Sequence, residues 1–240
     1  MLGFYICMAR FQEVVYRRCR SAFQDRATSD SLRRDLTAQE LAELESSFEA
    51  FLVVVDNCGP EKLAEVARDL KAKGPDSWSR LLASAWTTAP SDAEGYLAFA
   101  HLQPFAEFLR ASATVEPRQL SYALCPFCDR KPGLGVLRQK GEGAARSMVC
   151  GFCLAEWEFR RIVCPGCGEE NDKKLPVYTA EDWDCIRVEC CDTCKTYIKT
   201  VDLTKNGRAE PLVDEMATPH LDLWARDHGY TKLQSNLLGM

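Results

Sequence analysis

Histidine is nearly absent from this chain: three residues in 240, His101, His220 and His228. None adjoins a plausible cysteine or serine nucleophile, so imidazole-based catalysis has little to build on. Basic charge is not in excess either, with 30 Lys+Arg against 35 Asp+Glu and a net charge of −5. No apolar run approaches the ~20 residues that a membrane-spanning helix needs, and no segment is of low complexity. The opening apolar stretch, Met1 to Ala9, runs into Arg10 without the longer apolar core and small-residue cleavage site of a secretory signal. Arg17-Arg18 and Arg33-Arg34 are followed by polar residues, unlike a twin-arginine signal. Nothing here points to export.

Cysteine is what the chain has in quantity: 13 residues, eight of them in four Cys-x-x-Cys pairs. The pairs are Cys125/Cys128, Cys150/Cys153, Cys164/Cys167 and Cys191/Cys194. Two intervening residues let the backbone turn tightly enough for both sulfurs to face one ion, so two pairs brought together make a tetrahedral thiolate site. The spacing repeats: 21 residues separate Cys128 from Cys150, 23 separate Cys167 from Cys191, and ten lie between the halves. Each half therefore predicts one metal ribbon, in which a hairpin returns a second knuckle to the first. Cys125, Cys128, Cys150 and Cys153 are the expected ligands of one ion, and Cys164, Cys167, Cys191 and Cys194 those of another. Pro165 and Gly168 suit the third knuckle, one by its fixed φ and the other by its access to the left-handed region. Asp129 stands at the glycine position of the first and tolerates that conformation moderately well.

Other uses of these thiols fit less well. A disulfide framework requires an oxidising compartment, and a thioredoxin-like redox centre uses one pair on a βαβ unit rather than four on hairpins. Cys7, Cys19, Cys58, Cys185 and Cys190 are expected as small buried hydrophobes. Cys190 adjoins Cys191 and competes with it as a ligand; Cys191 is preferred because it restores the two-residue gap.

Composition shifts near residue 115. Before it the chain is poor in glycine and proline, with helical start and stop signals: Thr37-Ala38-Gln39-Glu40 is a capping-box pattern, and Gly59-Pro60 ends one helix and opens the next, which runs to Gly74. Asp76 is the expected cap of a further helix, and Ser91-Asp92-Ala93-Glu94 a second capping box before a stretch that Pro104 begins anew or kinks. Phe4 to Asp25 also reads as helix. Aromatic stripes in this half are expected to be core. After a linker at Thr114–Ser121 the period becomes two. Val136–Arg138 and Ser147–Val149 flank a turn, Glu156–Val163 alternates between the two sites, and Ile186–Glu189 and Tyr197–Val201 repeat the pattern. A short helix is expected over Pro219–His228, ending at Gly229. The fold class is thus α+β: an N-terminal all-α helical bundle (1–113), two tandem rubredoxin-like or zinc-ribbon β modules (121–163 and 164–203), and a C-terminal tail with a short helix (204–240).

Function classes can be weighed on these features. Two closed four-thiolate shells leave no open coordination position for a hydrolytic metal, so no enzyme is expected. Zinc ribbons often contact nucleic acid, yet residues 121–200 carry 12 basic and 12 acidic side chains. Each filled site would add a charge of about −2, whereas a phosphate-seeking surface needs positive excess. Electron transfer is a third class, because four thiolates around iron make a one-electron centre. Iron and zinc both accept tetrahedral sulfur.

The order of motifs resembles the formate dehydrogenase accessory protein FdhE family. The residues that carry the resemblance are Cys125-Pro-Phe-Cys128, Cys150-Gly-Phe-Cys153 with Trp157, Arg161-Ile-Val-Cys164-Pro-Gly-Cys167-Gly168 and Cys191-Asp-Thr-Cys194-Lys-Thr-Tyr-Ile-Lys199 with Asp202. Pro211-Leu-Val-Asp214, Leu221-Asp222, Gly229-Tyr230 and Asn236 extend it through residues 121–240. Tyr96–Phe99 and Gln103 extend it loosely into a helical half that is shorter than usual in that family. The resemblance implies a cytoplasmic maturation factor that binds the catalytic subunit of formate dehydrogenase, is not a hydrolase, and carries iron or zinc in its knuckles. No nucleic acid and no membrane span are expected, and weak self-association is left open. Trp157, Arg160 and Arg161 are the candidate partner contacts, against the plainer expectation that Trp157 is core.

Overall fold

The computed structural model describes residues 2–23, 32–113, 123–236 and 239. The chain divides into two compact units, Met1–Glu116 and Pro117–Met240. The expected linker at 114–121 lies outside the described residues.

Among the described residues the first unit contains five helices: α1 (Leu2–Ala22), α2 (Ala38–Cys58), α3 (Glu61–Lys73), α4 (Pro75–Thr87) and α5 (Ala93–Ser112). Thr37 opens α2 through a complete capping box, its hydroxyl accepting from the Glu40 amide while the Glu40 carboxylate accepts from the Thr37 amide at 2.8 Å. Two expected starts differ. Gly74, not Asp76, caps α4, because Pro75 occupies the first helical position where its missing N–H is harmless. Asp92 caps α5 by accepting from the Gly95 amide at 2.7 Å, leaving the Ser91 box unformed.

Pro104 lies inside α5 without ending it. A proline there frees the carbonyl four residues earlier, that of Ala100. Gln12 of α1 donates its side-chain amide to that carbonyl at 2.8 Å, so a tertiary contact replaces the lost helical bond. Phe48, Phe51, Leu97 and Phe105 are fully buried at the centre of the unit. His101 sits among Phe11, Phe48 and Phe51, with its Nε2 3.0 Å from the Leu44 carbonyl. His101 is therefore a buried core residue with a backbone partner.

The second unit is built on β1 (Pro132–Lys140), β2 (Gly143–Cys150), β3 (Glu156–Phe159), β4 (Val177–Ala180), β5 (Trp183–Cys190), β6 (Thr196–Asp202) and β7 (Thr231–Lys232). The order is β3-β2-β1-β6-β5-β4, with β7 beside β6. Within each ribbon the pairing is antiparallel, but β1 pairs with β6 in parallel, so both ribbons share one sheet. Gly135 permits this junction: a Cβ there would stand 2.3 Å from the Thr200 hydroxyl. The alternating stretch after Cys153 is a strand only over Glu156–Phe159 and then turns, so Cys153–Cys164 is not one extended span.

The C-terminal tail holds two short helices rather than one, α6 (Pro211–Ala217) and α7 (Pro219–Asp227). The C-terminal end of α7 agrees closely with expectation, with Gly229 at φ 82° beyond it. One sheet face, through Val136, Ile186, Val188, Tyr197 and Val201, packs on Leu221, Ala225 and Tyr230. Inside this layer Lys199 is fully buried. It donates to the Asp222 carboxylate at 2.6 Å, to the Thr218 carbonyl at 3.2 Å and to the Glu215 carbonyl. Lys232 pairs with Glu215 and with Asp222 at 2.9 Å, the Tyr197 hydroxyl donates to Asp222 at 2.8 Å, and Asn236 donates to Glu215. Two ammonium groups and two carboxylates thus satisfy one another out of water. Alternation puts Lys199 on the same face as Tyr197 and Val201, but nothing local in the sequence marks the lysine as buried.

Candidate metal centre

The four knuckles share one backbone form. The amide of the leading cysteine donates to the carbonyl five residues on, at 2.8 Å for Cys125 to Arg130 and 2.9 Å for Cys150 to Ala155, Cys164 to Glu169 and Cys191 to Thr196. The residue after the second cysteine is left-handed in all four: Asp129, Leu154, Gly168 and Lys195, with φ of 57°, 55°, 78° and 56°. The second and fourth knuckles, plain in sequence, therefore turn as the glycine-bearing one does. Leu154 and Lys195 hold a conformation that costs an L-residue roughly 1–2 kcal/mol, which the surrounding turn must impose. Backbone amides also point at sulfur: Phe152 N–H to Cys150 Sγ and Gly166 N–H to Cys164 Sγ, both at 3.3 Å.

These turns gather eight sulfurs into two clusters, Cys125/Cys128/Cys150/Cys153 and Cys164/Cys167/Cys191/Cys194, each with all sulfurs within 4.8 Å of one another. The cross-knuckle separations are 3.6 Å (Cys125–Cys153), 3.4 Å (Cys128–Cys150), 3.6 Å (Cys164–Cys194) and 3.6 Å (Cys167–Cys191). Disulfide sulfurs would be ~2.05 Å apart. A tetrahedron with ~2.3 Å metal–sulfur bonds has edges of about 3.8 Å, close to what is seen. All 13 cysteines are free thiols. Cys191 points into the second cluster, whereas Cys190 is 3% exposed and packs in the apolar layer, because neighbouring strand residues face opposite ways.

Charge inside a cluster is tightly constrained. Hydrogen bonds from Cys128, Cys150 and Cys153 pull the Cys125 thiol far below its ordinary range, and the same contacts push Cys128 and Cys153 far above theirs. One thiolate is welcome; four together require a cation at their centre. The chemistry of the donor set suits a soft, tetrahedral ion and offers it a closed shell.

The two clusters differ in surroundings. In the first, Cys125, Cys150 and Cys153 are buried, and the Arg130 guanidinium lies over the Phe152 ring at 4.1 Å. In the second, Cys167 is exposed and Cys194 half-buried, with Cys194 Sγ 3.0 Å from the Thr196 hydroxyl. A Cβ on Gly166 would meet that hydroxyl at 2.8 Å and Cys194 Sγ at 3.4 Å, so the knuckle closes only over glycine.

Of the candidate partner contacts, Trp157 is buried at 7% exposure and belongs to the core. Arg160 is exposed and forks onto Glu170 at 2.6 and 3.0 Å, and Arg161 is exposed. His220 packs on Trp183 and His228 on Trp224, and neither belongs to a cysteine cluster. Among the described residues no helix is long and apolar enough to cross a membrane.

Comparison with known proteins agrees with this arrangement. The sequence models for the FdhE central domain and the FdhE C-terminal domain match residues 124–161 and 162–238. A protein FdhE homolog of Aquifex aeolicus is 32% identical over 146 residues, 60% of this chain and 51% of that one. The homolog of Pseudomonas aeruginosa is 34% identical over 137 residues, 54% of this chain and 43% of its own length. That of Stutzerimonas stutzeri is 36% identical over 117 residues, covering 48% and 38%. The matched part thus spans about half, or less, of the length of these relatives. The crystal structure of the FdhE protein from Pseudomonas aeruginosa shares the fold, with a TM-score of 0.59 at 20% identity over 98% of this chain and 95% of that one. The cysteine-rich half of the chain, residues 124–238, thus carries the central and C-terminal domains of FdhE.

Proposed function

We propose that this chain is a cytoplasmic accessory factor that binds the catalytic subunit of a formate dehydrogenase and assists its maturation, without catalysing a reaction of its own. The observation that supports it most is the pair of four-sulfur clusters lying within the residues matched to the FdhE domains. Each cluster holds one iron or zinc ion, with Cys125, Cys128, Cys150 and Cys153 around one and Cys164, Cys167, Cys191 and Cys194 around the other. Four protein ligands complete such a shell, so the ion organises backbone rather than activating water. The ribbons at 121–163 and 164–203 are the metal-bearing segments, between the helical domain at 1–113 and the tail at 204–240. The partner is a protein, since neutral ribbons carrying anionic metal centres repel a phosphate backbone.

Co-purification tests this directly. The tagged chain, co-expressed with a formate dehydrogenase catalytic subunit, should retain it and should carry two metal ions per chain by elemental analysis. Failure to retain the subunit removes the maturation role; a single ion per chain removes one site.

A second role is favoured by one feature, the exposure of Cys167. An iron ion in the second cluster would exchange electrons through that thiolate, making the site redox-active as well as structural. A ferric-thiolate spectrum bleached by reductant supports this, and a colourless zinc protein refutes it.

A further inference from the structure

Beside the second cluster the ribbon unit holds a groove of about 350 Å³, lined wholly by its own residues. Segment 161–165 forms one wall and the sheet the other. The sheet's contribution follows from register: Leu137 pairs with Arg146, and Glu189 pairs with Ile198 on one side and Val177 on the other, so these side chains share a face. It is the face opposite the one that carries Tyr197 and Lys199. A volume of this size suits one or two side chains of a ligand.

Three features indicate the chemistry it would take. The walls are mixed: Ile162, Val163, Leu175, Val177 and Ile198 stand beside the charged Asp172, Arg187 and Glu189, and two of the apolar residues stand in water, Ile162 at 57% and Val177 at 53% exposure. Arg146 lines the groove at 4% exposure, giving Nη1 to the carbonyls of Arg160 and Val163 at 3.0 and 3.1 Å and Nη2 to Glu189. It braces segment 160–163 against the sheet and so fixes the wall that carries Arg161 and Ile162. Arg161 also lines the groove, exposed and without an ion pair among the described residues.

The neighbouring strand narrows the ligand further. β4 ends the sheet, and its outer edge has no partner strand among the described residues. Val177 belongs both to that edge and to the groove. An open edge offers backbone hydrogen bonds to an extended chain, while pockets beside it select side chains.

We infer that this groove binds an extended peptide segment, with an apolar residue seated between Ile162 and Val177 and a neighbouring aspartate or glutamate held by Arg161. The inference rests on the partner-binding function above and assigns this segment to the partner. A free metabolite carboxylate would use the same cation but gain nothing from the strand edge.

The test uses the full, metal-loaded chain, isotopically labelled for NMR and titrated with acetyl-Leu-Glu-Leu-Glu-Leu-amide. The glutamine counterpart and isovalerate serve as comparators. Amides of 161–165 and β4 should shift with the acidic peptide, about tenfold more weakly with the glutamine peptide, and not with isovalerate. Arg161→Glu, at an exposed position, should abolish the shifts while leaving the spectrum folded, and Ile162→Asp should do the same from the apolar side. Unmoved groove amides, equal response to both peptides, or an unchanged Arg161→Glu response would each overturn the inference. So would an isovalerate response as strong as that of the peptide. Co-purification separates the two claims. If the wild-type chain retains the catalytic subunit and Arg161→Glu retains it equally, the groove is not the docking site. If even wild type retains nothing, the maturation role fails and the titration alone decides the groove.

Discussion

At the centre of the helical unit, Phe48 and Phe51 pack on the His101 imidazole and Phe105 on Trp86 and Phe108, rings held to one another by apolar contact. The same depth in the ribbon unit is occupied by sulfur and by ions: three buried cysteines of the first cluster, and Lys199 enclosed by Asp222 and Glu215. Phenylalanine burial is non-directional and tolerates small shifts. Thiolate tetrahedra and buried ion pairs have fixed geometry, and each loses most of its value when one member is removed. The two units should therefore fail differently, by erosion in one and by collapse in the other.

The largest contrast is expected on metal removal. A structural four-thiolate zinc site supplies about 10–16 kcal/mol of apparent free energy, comparable with the roughly 5–15 kcal/mol of a whole domain. Chelation should erase hydrogen-exchange protection across β1–β6 while α2–α5 keep theirs. Persistent protection of the sheet in the stripped chain would show that the clusters do not hold the fold. Within the ribbons, Cys167→Ser at the exposed corner should disturb the sheet less than Cys125→Ser, whose sulfur is fully buried. Equal losses would erase the difference between the clusters.

Next in size is Asp222→Asn, which keeps shape but leaves Lys199 and Lys232 without one of their two carboxylates. Breaking such a buried set costs about 3–5 kcal/mol, to be read from the denaturant midpoint of the ribbon unit, with the helical transition unmoved. Burial alone would raise the Asp222 carboxyl, but Lys232 and Lys199 outweigh it and hold the group below its ordinary value. Its stabilisation is therefore complete above about pH 4 and is lost as pH falls through the lower, folded value.

The helical unit should yield to acid sooner. Burial lowers His101 to about 4, only partly opposed by its bond to the Leu44 carbonyl. The unfolded chain titrates this group near pH ~6.5, so between those values the unfolded state binds the extra proton. Stability should fall by about 3 kcal/mol as pH drops across that window. A helical transition with the same midpoint at neutral and mildly acidic pH, or one whose slope survives His101→Phe, would sink this. The smallest effect is Thr37→Ala, which removes half of the capping box and should lower helical stability by about 1 kcal/mol. A thermal scan that shows no shift would mean that Glu40, held by Arg34 at 2.6 Å, suffices alone.

Legibility in the sequence followed how local the physics was. A Cys-x-x-Cys turn is decided within six residues, and both the grouping of sulfurs and the hairpin of β1 and β2 could be read from spacing. The capping box at Thr37 was legible for the same reason. Pro104 misled because the compensating partner, Gln12, lies far away in sequence. Strand β4 escaped notice because Val177–Ala180 is a short, exposed edge without alternation of burial. Helix α6 was hidden by its length, and Lys199 by its charge, since a lysine enters a core only where distant residues, here Asp222 and Glu215, meet it. The merging of the two ribbons was least visible of all: it depends on a single glycine opposite a threonine.

That junction also sets a timetable. β1 leaves the ribosome with one side bare, and its neighbour β6 follows roughly 65 residues later, a wait of several seconds at ~5–20 residues per second. During that interval the first ribbon can close its own knuckles, yet its inner flank lies open to any passing strand. A nascent chain so exposed favours early capture of the first ion, which stiffens the half-built sheet before its second half arrives.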